Sequence, residues 1–573
     1  MKGDRPPLHY SLELNRTAAS TGFFSPIPQG LPNLSEKIDY LCCHPADSFM
    51  HSHLLDLIGE MTLKAATELL GSDVGNDPVV RALLLEAGTI HMHLADFKTR
   101  FNHRESRQLA EQTPLIFLRS AMQADQALHG QWARLFHANL THHRPLPPPH
   151  RTGFSMPLKG CDGEETQLAE EVHLKAVIDR CRTGFKGSGT PRKSLEATID
   201  LALQQLGALN LFEGPEMRHQ SSLSPIALLR KWRFHHSVKC GALNYTISSV
   251  QTSYGRGLSL EAARASCLME VVERCSAFAS VDEEGIVGTR RSHPLLHGSR
   301  SQLMSKGFNL LDPNSLNLEV PYQDEPLYWI EGDQLTVDGI QSVWVPAQSV
   351  FLFCNLDERS LFSGLGSTGL ASGNTIAEAR LSALYELLER DNEAVNPYHP
   401  ARCFRVHAED ERIRALFEDY RARGIHLQFQ DISPAFGIPC CTCFVVQRDG
   451  SVVKGCGVNL NGKRAVLSAL TETPYPYPSG PPSSPAPADL PWLPFESLPD
   501  FSTRMPDLDL TLVEETLLVN GYSPIYVDIT RKDLMIPVVK ALVPKFELMS
   551  DFDQYSRISP RLFSNYLKIH QKH

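Results

Sequence analysis

Long apolar runs are missing from this sequence. No stretch approaches the 18 or more consecutive apolar residues that a membrane-spanning helix needs, so a membrane partner is not expected. The opening Met1-Lys-Gly-Asp-Arg-Pro-Pro lacks the apolar core of a secretory signal. A basic excess is missing too. The formal net charge is −10 with 23 His counted neutral, whereas a non-specific nucleic-acid surface would be basic, so nucleic acid is not an expected partner. The 13 Cys follow no disulfide framework, and without an export signal they are expected to be reduced thiols of a cytosolic protein. Neither G-x-S-x-G nor H-E-x-x-H occurs, which leaves that hydrolase elbow and the zincin site without support.

What is present divides the chain. Its length suggests about two to four domains. After a mixed, turn-rich start to about residue 47, Leu54, Leu55, Ile58 and Met61 recur at helical spacing. So do Val80, Leu83, Leu84 and Ala87, and a third helical run is expected from Pro114 to Leu140. The Pro-rich His142–His150 reads as a linker with its histidines in solvent. A helix is expected over about Glu164–Cys181, then a Gly-rich turn over Gly184–Pro191, then a helix over Ser194–Leu206. Beyond Cys240 strand-like and helical runs alternate. Leu327–Ile330, Val343–Pro346, Ile438–Val446, Tyr526–Ile529 and Val538–Leu542 read as strands, and Pro474–Pro499 as a loop. The expected fold class is α+β. Expected units are a mainly helical accessory domain over residues 1–150, a linker and helix over 151–186, an α/β unit over 187–550 and a tail over 551–573.

One pattern occurs twice. Gly257 to Arg274 and Gly373 to Arg390 share Gly, Ala, Arg, Ser, Leu, Glu, Glu and Arg in the same order, 116 residues apart. Each holds S-x-x-x-E-x-x-E-R: Ser266, Glu270, Glu273 and Arg274 in the first, and Ser382, Glu386, Glu389 and Arg390 in the second. Carboxylates three residues apart share a helix face. A degenerate third copy follows at Ser468-Ala-Leu-Thr-Glu472, where Pro474 ends the helix and Tyr475 holds the second Glu position. A lone E-x-x-E-R is usually a solvated face. Repetition that includes the Gly and the Ser asks for more.

Four carboxylates converging from two helices make a hard-oxygen site that suits Mg²⁺ better than Zn²⁺. Mg²⁺ commonly shares its oxygens with nucleotide phosphates, and Arg256, Arg274 and Arg390 supply complementary charge. The Gly-rich approaches Gly255-Arg-Gly257 and Gly364–Gly373 would let backbone N–H groups meet phosphates at a helix start.

These motifs resemble the YcaO family: S-x-x-x-E-x-x-E-R after a Gly-basic-Gly turn, then a second such helix after A-x-G-N-T-x-x-E-A. The resemblance runs from about Gly187 to Leu548. It implies a pseudo-repeated α/β domain that binds ATP and Mg²⁺ and phosphorylates a backbone amide oxygen of a peptide or protein, which a nucleophile then attacks. It places Mg²⁺ at Glu270, Glu273, Glu386 and Glu389. It places ATP at Arg256, Ser266, Arg274, Asn374, Glu378, Ser382 and Arg390. Three departures are visible. Arg256 stands where the family usually has Lys. The third motif lacks its usual Gln, so the Pro-rich loop is the expected substitute. The chain ends Tyr566–His573 without the Pro-x-Pro-x-Pro tail of azoline-forming members. The resemblance therefore implies heterocycle or thioamide-type modification other than standard azoline formation. Its alternatives are an ATP-binding accessory factor for a ribosomal-protein methylthiotransferase or similar sulfur-transfer system, and a non-catalytic interaction protein. Expected partners are a peptide or protein substrate and a sulfur-transfer or leader-peptide-binding protein, with a homodimer compatible. Residues 1–150 would bind the partner, and their deletion would spare ATP binding.

Four other signals are weaker. Gly457–Arg464 nearly spells a P-loop, but Arg464 replaces the Ser/Thr that would bind Mg²⁺. Cys42-Cys43-His44 with His51 and His53, and Cys440-Cys441-x-Cys443, each lack the second pair of a zinc site, and Cys441 and Cys443 stand at strand period. His235-His236 beside Trp232 and Phe234 reads as packing.

Overall fold

The computed structural model describes residues 6–16, 22–157, 171–181, 189–548 and 552–571. Three mixed or antiparallel sheets carry the fold, and helices cover them. The expected α+β class holds. The expected turn at Gly184 and the first half of the helix expected from Glu164 lie outside the described residues, which show Leu174–Cys181 as helix.

Three strand–helix units repeat, one on each sheet, and each is built alike. In the first, strand Leu243–Gly257 runs into helix Leu260–Ala277, whose N-cap Ser259 accepts from the Ala262 N–H. In the second, strand Leu370–Ser372 precedes helix Ile376–Val395, capped by Thr375 onto the Glu378 N–H. In the third, strand Val452–Val458 precedes helix Gly462–Glu472, capped by Asn461 onto Lys463 and Arg464. Each helix folds back on its own strand. Gly255, 11 residues before Ser266, lies so close to Ala263 and Cys267 that a Cβ would strike them. Gly457, 11 residues before Ser468, meets Ala465 and Ala469 in the same way. The visible role of these glycines is therefore close strand–helix packing.

The P-loop-like segment is the start of the third repeat helix. The expected strands at Leu327, Val343, Ile438, Tyr526 and Val538 all form. Strand Val538–Leu542 lies between Leu370–Ser372 and Ile525–Asp528, under the second repeat helix.

The N-terminal region opens on strands before its helices. Leu8–Arg16 and Gly22–Gln29 form an antiparallel hairpin, and Leu8–Ser11 pairs in parallel with Tyr245–Ser248 of the first repeat strand. Helices follow, Ser48–Gly59 and Pro78–Ile90 among them, with Leu54, Leu55, Ile58, Val80, Leu83, Leu84 and Ala87 buried. The third helical run is split into Phe117–Ala121 and Gln126–His142.

A fully buried Asp47 joins these parts. It accepts hydrogen bonds from Tyr10 Oη at 2.7 Å, Tyr40 Oη at 3.1 Å and Asn355 Nδ2 at 2.9 Å. The linker is not loose either. His143, expected in solvent, takes a left-handed conformation and stacks on Tyr398 at 3.8 Å, and burial pushes its pKa down to about 3. Nor is 551–573 simply a tail: Pro560–Gln571 is a helix whose Leu562, Phe563 and Tyr566 share a core with Trp132 and Phe136.

Candidate active site

The first two repeat helices bring their acidic faces to a common cleft of ≈ 430 Å³. Ser266, Glu270 and Glu273 line it from the first helix; Glu386, Glu389 and Arg390 line it from the second. Arg256 and Arg274 complete the residues expected there. The third repeat helix closes the cleft with Ser468 and Glu472. Asn374, Glu378 and Ser382 are not among the lining residues. Asn374 and Glu378 instead brace the start of the second repeat helix. The Asn374 backbone N–H and Nδ2 both donate to Glu378 Oε2 at 3.0 Å, and Nδ2 also donates to Thr198 Oγ1 at 3.0 Å. No residue of the Pro-rich 474–499 stretch lines the cleft, so the expected substitute for the missing Gln does not come from there.

Sequence reasoning missed several groups. Glu472, a fifth cleft carboxylate, is ion-paired with Arg256. Tyr254 donates its backbone N–H to Glu270 Oε2 at 2.7 Å. Ser372 ties the units together by donating to Met269 O at 2.8 Å. Lys540 is buried in strand Val538–Leu542, donates to Thr368 O at 2.7 Å and acts electrostatically on Glu386 and Glu273. A lysine inside the apolar run Val-Val-Lys-Ala-Leu was the available signal.

Negative charge is in excess here. Arg274 stands 3.6 Å from Glu270 and 3.5 Å from Glu273, loose ion pairs without good hydrogen-bond geometry. Arg390 stands 3.5 Å from Glu389 and 3.0 Å from Glu393, and Lys454 holds Glu393 at 2.9 Å. Against the cleft's five carboxylates stand Arg256, Arg274, Arg390 and the buried Lys540. Glu270, Glu273, Glu386 and Glu389 all have pKa values above the usual carboxylate range, Glu273 and Glu389 well above it. Burial is the largest cause in each, the neighbouring arginines oppose it, and the other glutamates add to it. Glu270, Glu273 and Glu389 still show 27%, 16% and 16% of their side-chain surface, so they are surrounded by protein yet reachable from the cleft.

A divalent cation bringing its own anionic ligand fits this set. Among the described residues no three His, Cys, Asp or Glu side chains stand ready to grip one metal ion by themselves. Mg²⁺ does not require that, since it commonly takes one or two carboxylates and completes its shell with phosphate oxygens and water. Cys440, Cys441 and Cys443 are buried, and the sulfurs of Cys440 and Cys456 are 3.9 Å apart.

A pH effect follows from the raised carboxylates. Below their folded pKa values they carry protons that a cation must displace. Mg²⁺–nucleotide affinity is therefore expected to weaken as pH falls through those raised pKa values, with proton release on binding. Calorimetry in buffers of differing ionisation enthalpy reads both; a pH-independent affinity without proton release would contradict it.

The model of the family described as YcaO cyclodehydratase, ATP- and Mg²⁺-binding, matches residues 254–474. An uncharacterized protein of Methanothermobacter thermautotrophicus is 30% identical over 334 residues, which cover 52% of this chain and 82% of that protein. This chain belongs to the YcaO family. ATP and Mg²⁺ are accordingly its cofactors. An uncharacterized protein in the tfuA 3′ region of Rhizobium leguminosarum bv. trifolii is 28% identical over 247 residues, covering 40% of this chain and 54% of that one. Among solved structures, a heterocyclase in complex with substrate and cofactor is similar with a TM-score of 0.49 and 17% identity, over 67% of this chain and 57% of its own. The YcaO of Methanopyrus kandleri bound with AMPPCP and Mg²⁺ is similar with a TM-score of 0.46 and 20% identity, over 65% of this chain and 96% of its own. Among the described residues no helix of this YcaO protein is long and apolar enough to cross a membrane.

Proposed function

We propose that the cleft binds Mg²⁺–ATP and that the chain phosphorylates the oxygen of a peptide or protein backbone amide, for heterocycle or thioamide-type modification other than standard azoline formation. The convergence of Glu270, Glu273, Glu386 and Glu389 on one cleft with three arginines carries this reading. Bound there, ATP supplies the phosphoryl group, and Mg²⁺ supplies positive charge at the phosphate oxygens. Glu270, Glu273, Glu386 and Glu389 would hold the metal, and Arg256, Arg274, Arg390 and Ser266 would orient the phosphates. In the structure Arg256 is paired with Glu472, Arg274 with Glu270 and Glu273, and Arg390 with Glu393. Asn374 and Glu378 contribute indirectly, by fixing the start of the helix that presents Glu386 and Glu389, and Ser382 lies one turn before Glu386 on that helix.

Among the described residues none beyond Leu548 lines the cleft, and helix Pro560–Gln571 is held in the Trp132 core.

The test follows the oxygen atom. A peptide substrate carrying ¹⁸O at the modified carbonyl should deliver the label to inorganic phosphate, in step with Mg²⁺-dependent ATP turnover. Turnover that leaves the label in the peptide would overturn amide phosphorylation. Nucleotide binding without peptide-stimulated turnover would point to the accessory-factor role.

A further inference from the structure

A second open space, ≈ 670 Å³, lies far along the chain from the repeat helices, between helix Gln126–His142 and residues 552–555. On the helix, Ala127, Gly130 and Ala133 stand three residues apart and face it, with Arg134 and His137 beside them and Lys98 on the opposite wall.

Three independent features mark this space as a place for a ligand. The first is Gly130. It sits inside a 17-residue helix, where glycine is disfavoured, and nothing lies within 4 Å of the Cβ it lacks. No neighbour in the structure accounts for the missing side chain, and its absence leaves helix backbone open to close approach. The second is Ser120 in the groove wall. It is fully buried, and its Oγ has no hydrogen-bond partner among the described residues. A buried hydroxyl in that state lacks a donor or acceptor that an occupant would supply.

The third is charge. Residues 88–151 carry eight Lys or Arg against four Asp or Glu, within a chain of net charge −10. Lys98 and Arg134 make no ion pair among the described residues. Of the nearby acids, Asp125 is gripped by Arg557 at 2.8 Å. Asp553 lines the groove and its Oδ1 accepts from the Tyr555 and Ser556 N–H groups at 2.8 and 2.9 Å and from Ser556 Oγ at 3.0 Å, so the lining sets Lys98 and Arg134 against one carboxylate.

We propose that this groove docks an acidic, extended segment of the peptide substrate. Lys98 and Arg134 would meet its carboxylates, and its backbone would lie over Gly130 within reach of Ser120. The inference rests on the peptide-modifying role proposed above. Docking there would be rigidly related to the cleft, because Ala133 packs in one core with Ala394 and Val395, one turn beyond Arg390 on the second repeat helix.

The test uses a fluorescein-labelled 14-residue peptide of Glu, Ser and Gly, read by anisotropy. An equal-length Lys, Ser and Gly peptide and a single-stranded oligonucleotide of matched charge serve as controls. Lys98→Glu and Arg134→Glu change exposed side chains, and Gly130→Leu fills open space with a better helix former. Each is expected to weaken the acidic probe by about tenfold or more and leave AMPPCP–Mg²⁺ affinity unchanged on the same samples. The proposal is overturned if the variants bind the acidic probe like the wild type, if the lysine peptide binds as tightly, or if the oligonucleotide binds tighter. AMPPCP–Mg²⁺ binding without acidic-probe binding in the wild type sinks the docking groove alone. Failure of AMPPCP–Mg²⁺ to bind sinks the nucleotide reading instead.

Discussion

Glu273→Gln and Glu389→Gln are each expected to weaken Mg²⁺–nucleotide binding by about 10- to 100-fold, the equivalent of one charge-assisted contact of about 1.5–3 kcal/mol. The substitution keeps the shape of the side chain and removes its charge. Both carboxylates are held well above their usual pKa by burial, so at neutral pH their ionised forms cost the empty protein stability. That cost is present above the unfolded pKa and disappears as pH falls below it. A neutral amide removes it at every pH, against the partial loss of a partner for Arg274 or Arg390. Arg274 retains Glu270 and Arg390 retains Glu393, so neither arginine is stranded. The expected signature is thus a variant that melts no lower than the wild type yet binds nucleotide poorly, the trade-off of a site strained for function. Calorimetric titration with AMPPCP and Mg²⁺, beside a thermal melt, separates the cases. Affinity within twofold of wild type would remove these acids from the metal site. A parallel collapse of melting temperature would make them structural.

Removing residues 1–150 is expected to leave no folded nucleotide-binding fragment. The sequence suggested that this region could be excised, but three of its contacts belong to the rest of the chain. Strand Leu8–Arg16 covers the edge of the first repeat strand, and its Tyr10 is buried edge-on against Tyr245 at 5.7 Å. Asp47 is bonded to Asn355, which in turn receives the Tyr245 hydroxyl at its carbonyl. Trp132, fully buried, meets Phe563 at 5.1 Å and Tyr566 at 5.6 Å, and donates its indole N–H to Ser155 O at 2.9 Å. Deleting one large buried aromatic commonly costs about 3–5 kcal/mol, against a total stability of about 5–15 kcal/mol for a domain. Losing Tyr10, Trp132 and Phe136 together removes about 9–15 kcal/mol, comparable to that whole margin. Trp132→Ala alone is expected to lower unfolding stability by about 3–5 kcal/mol in a denaturant titration. A soluble, cooperatively melting 151–573 fragment that binds AMPPCP and Mg²⁺ would refute the larger prediction.

The repeat of Glu270 and Glu273 in Glu386 and Glu389 was legible because it is a matter of spacing. Helical periodicity places residues three and four apart on one face wherever the helix is finally packed. Short, β-branched runs such as Val538–Leu542 and the strand–turn at Ile438 were legible for an equally local reason. Family membership followed from those motifs together. Other features depend on residues hundreds of positions apart and leave no periodic trace. Arg256 meets Glu472 across 216 residues. The hairpin at Leu8–Gln29 finds its partner strand beyond residue 240. His143 stacks on Tyr398, and helix Pro560–Gln571 packs against Trp132. Asn374 and Glu378 sit in the same motif as Glu386, yet they lie near the N-terminal end of the helix, where backbone N–H groups need partners, and they turn to that end instead of the cleft. The sequence by itself determined which carboxylates share a helix face. The tertiary structure decided which faces meet, because loop closure brings distant segments together through contacts that no local spacing records.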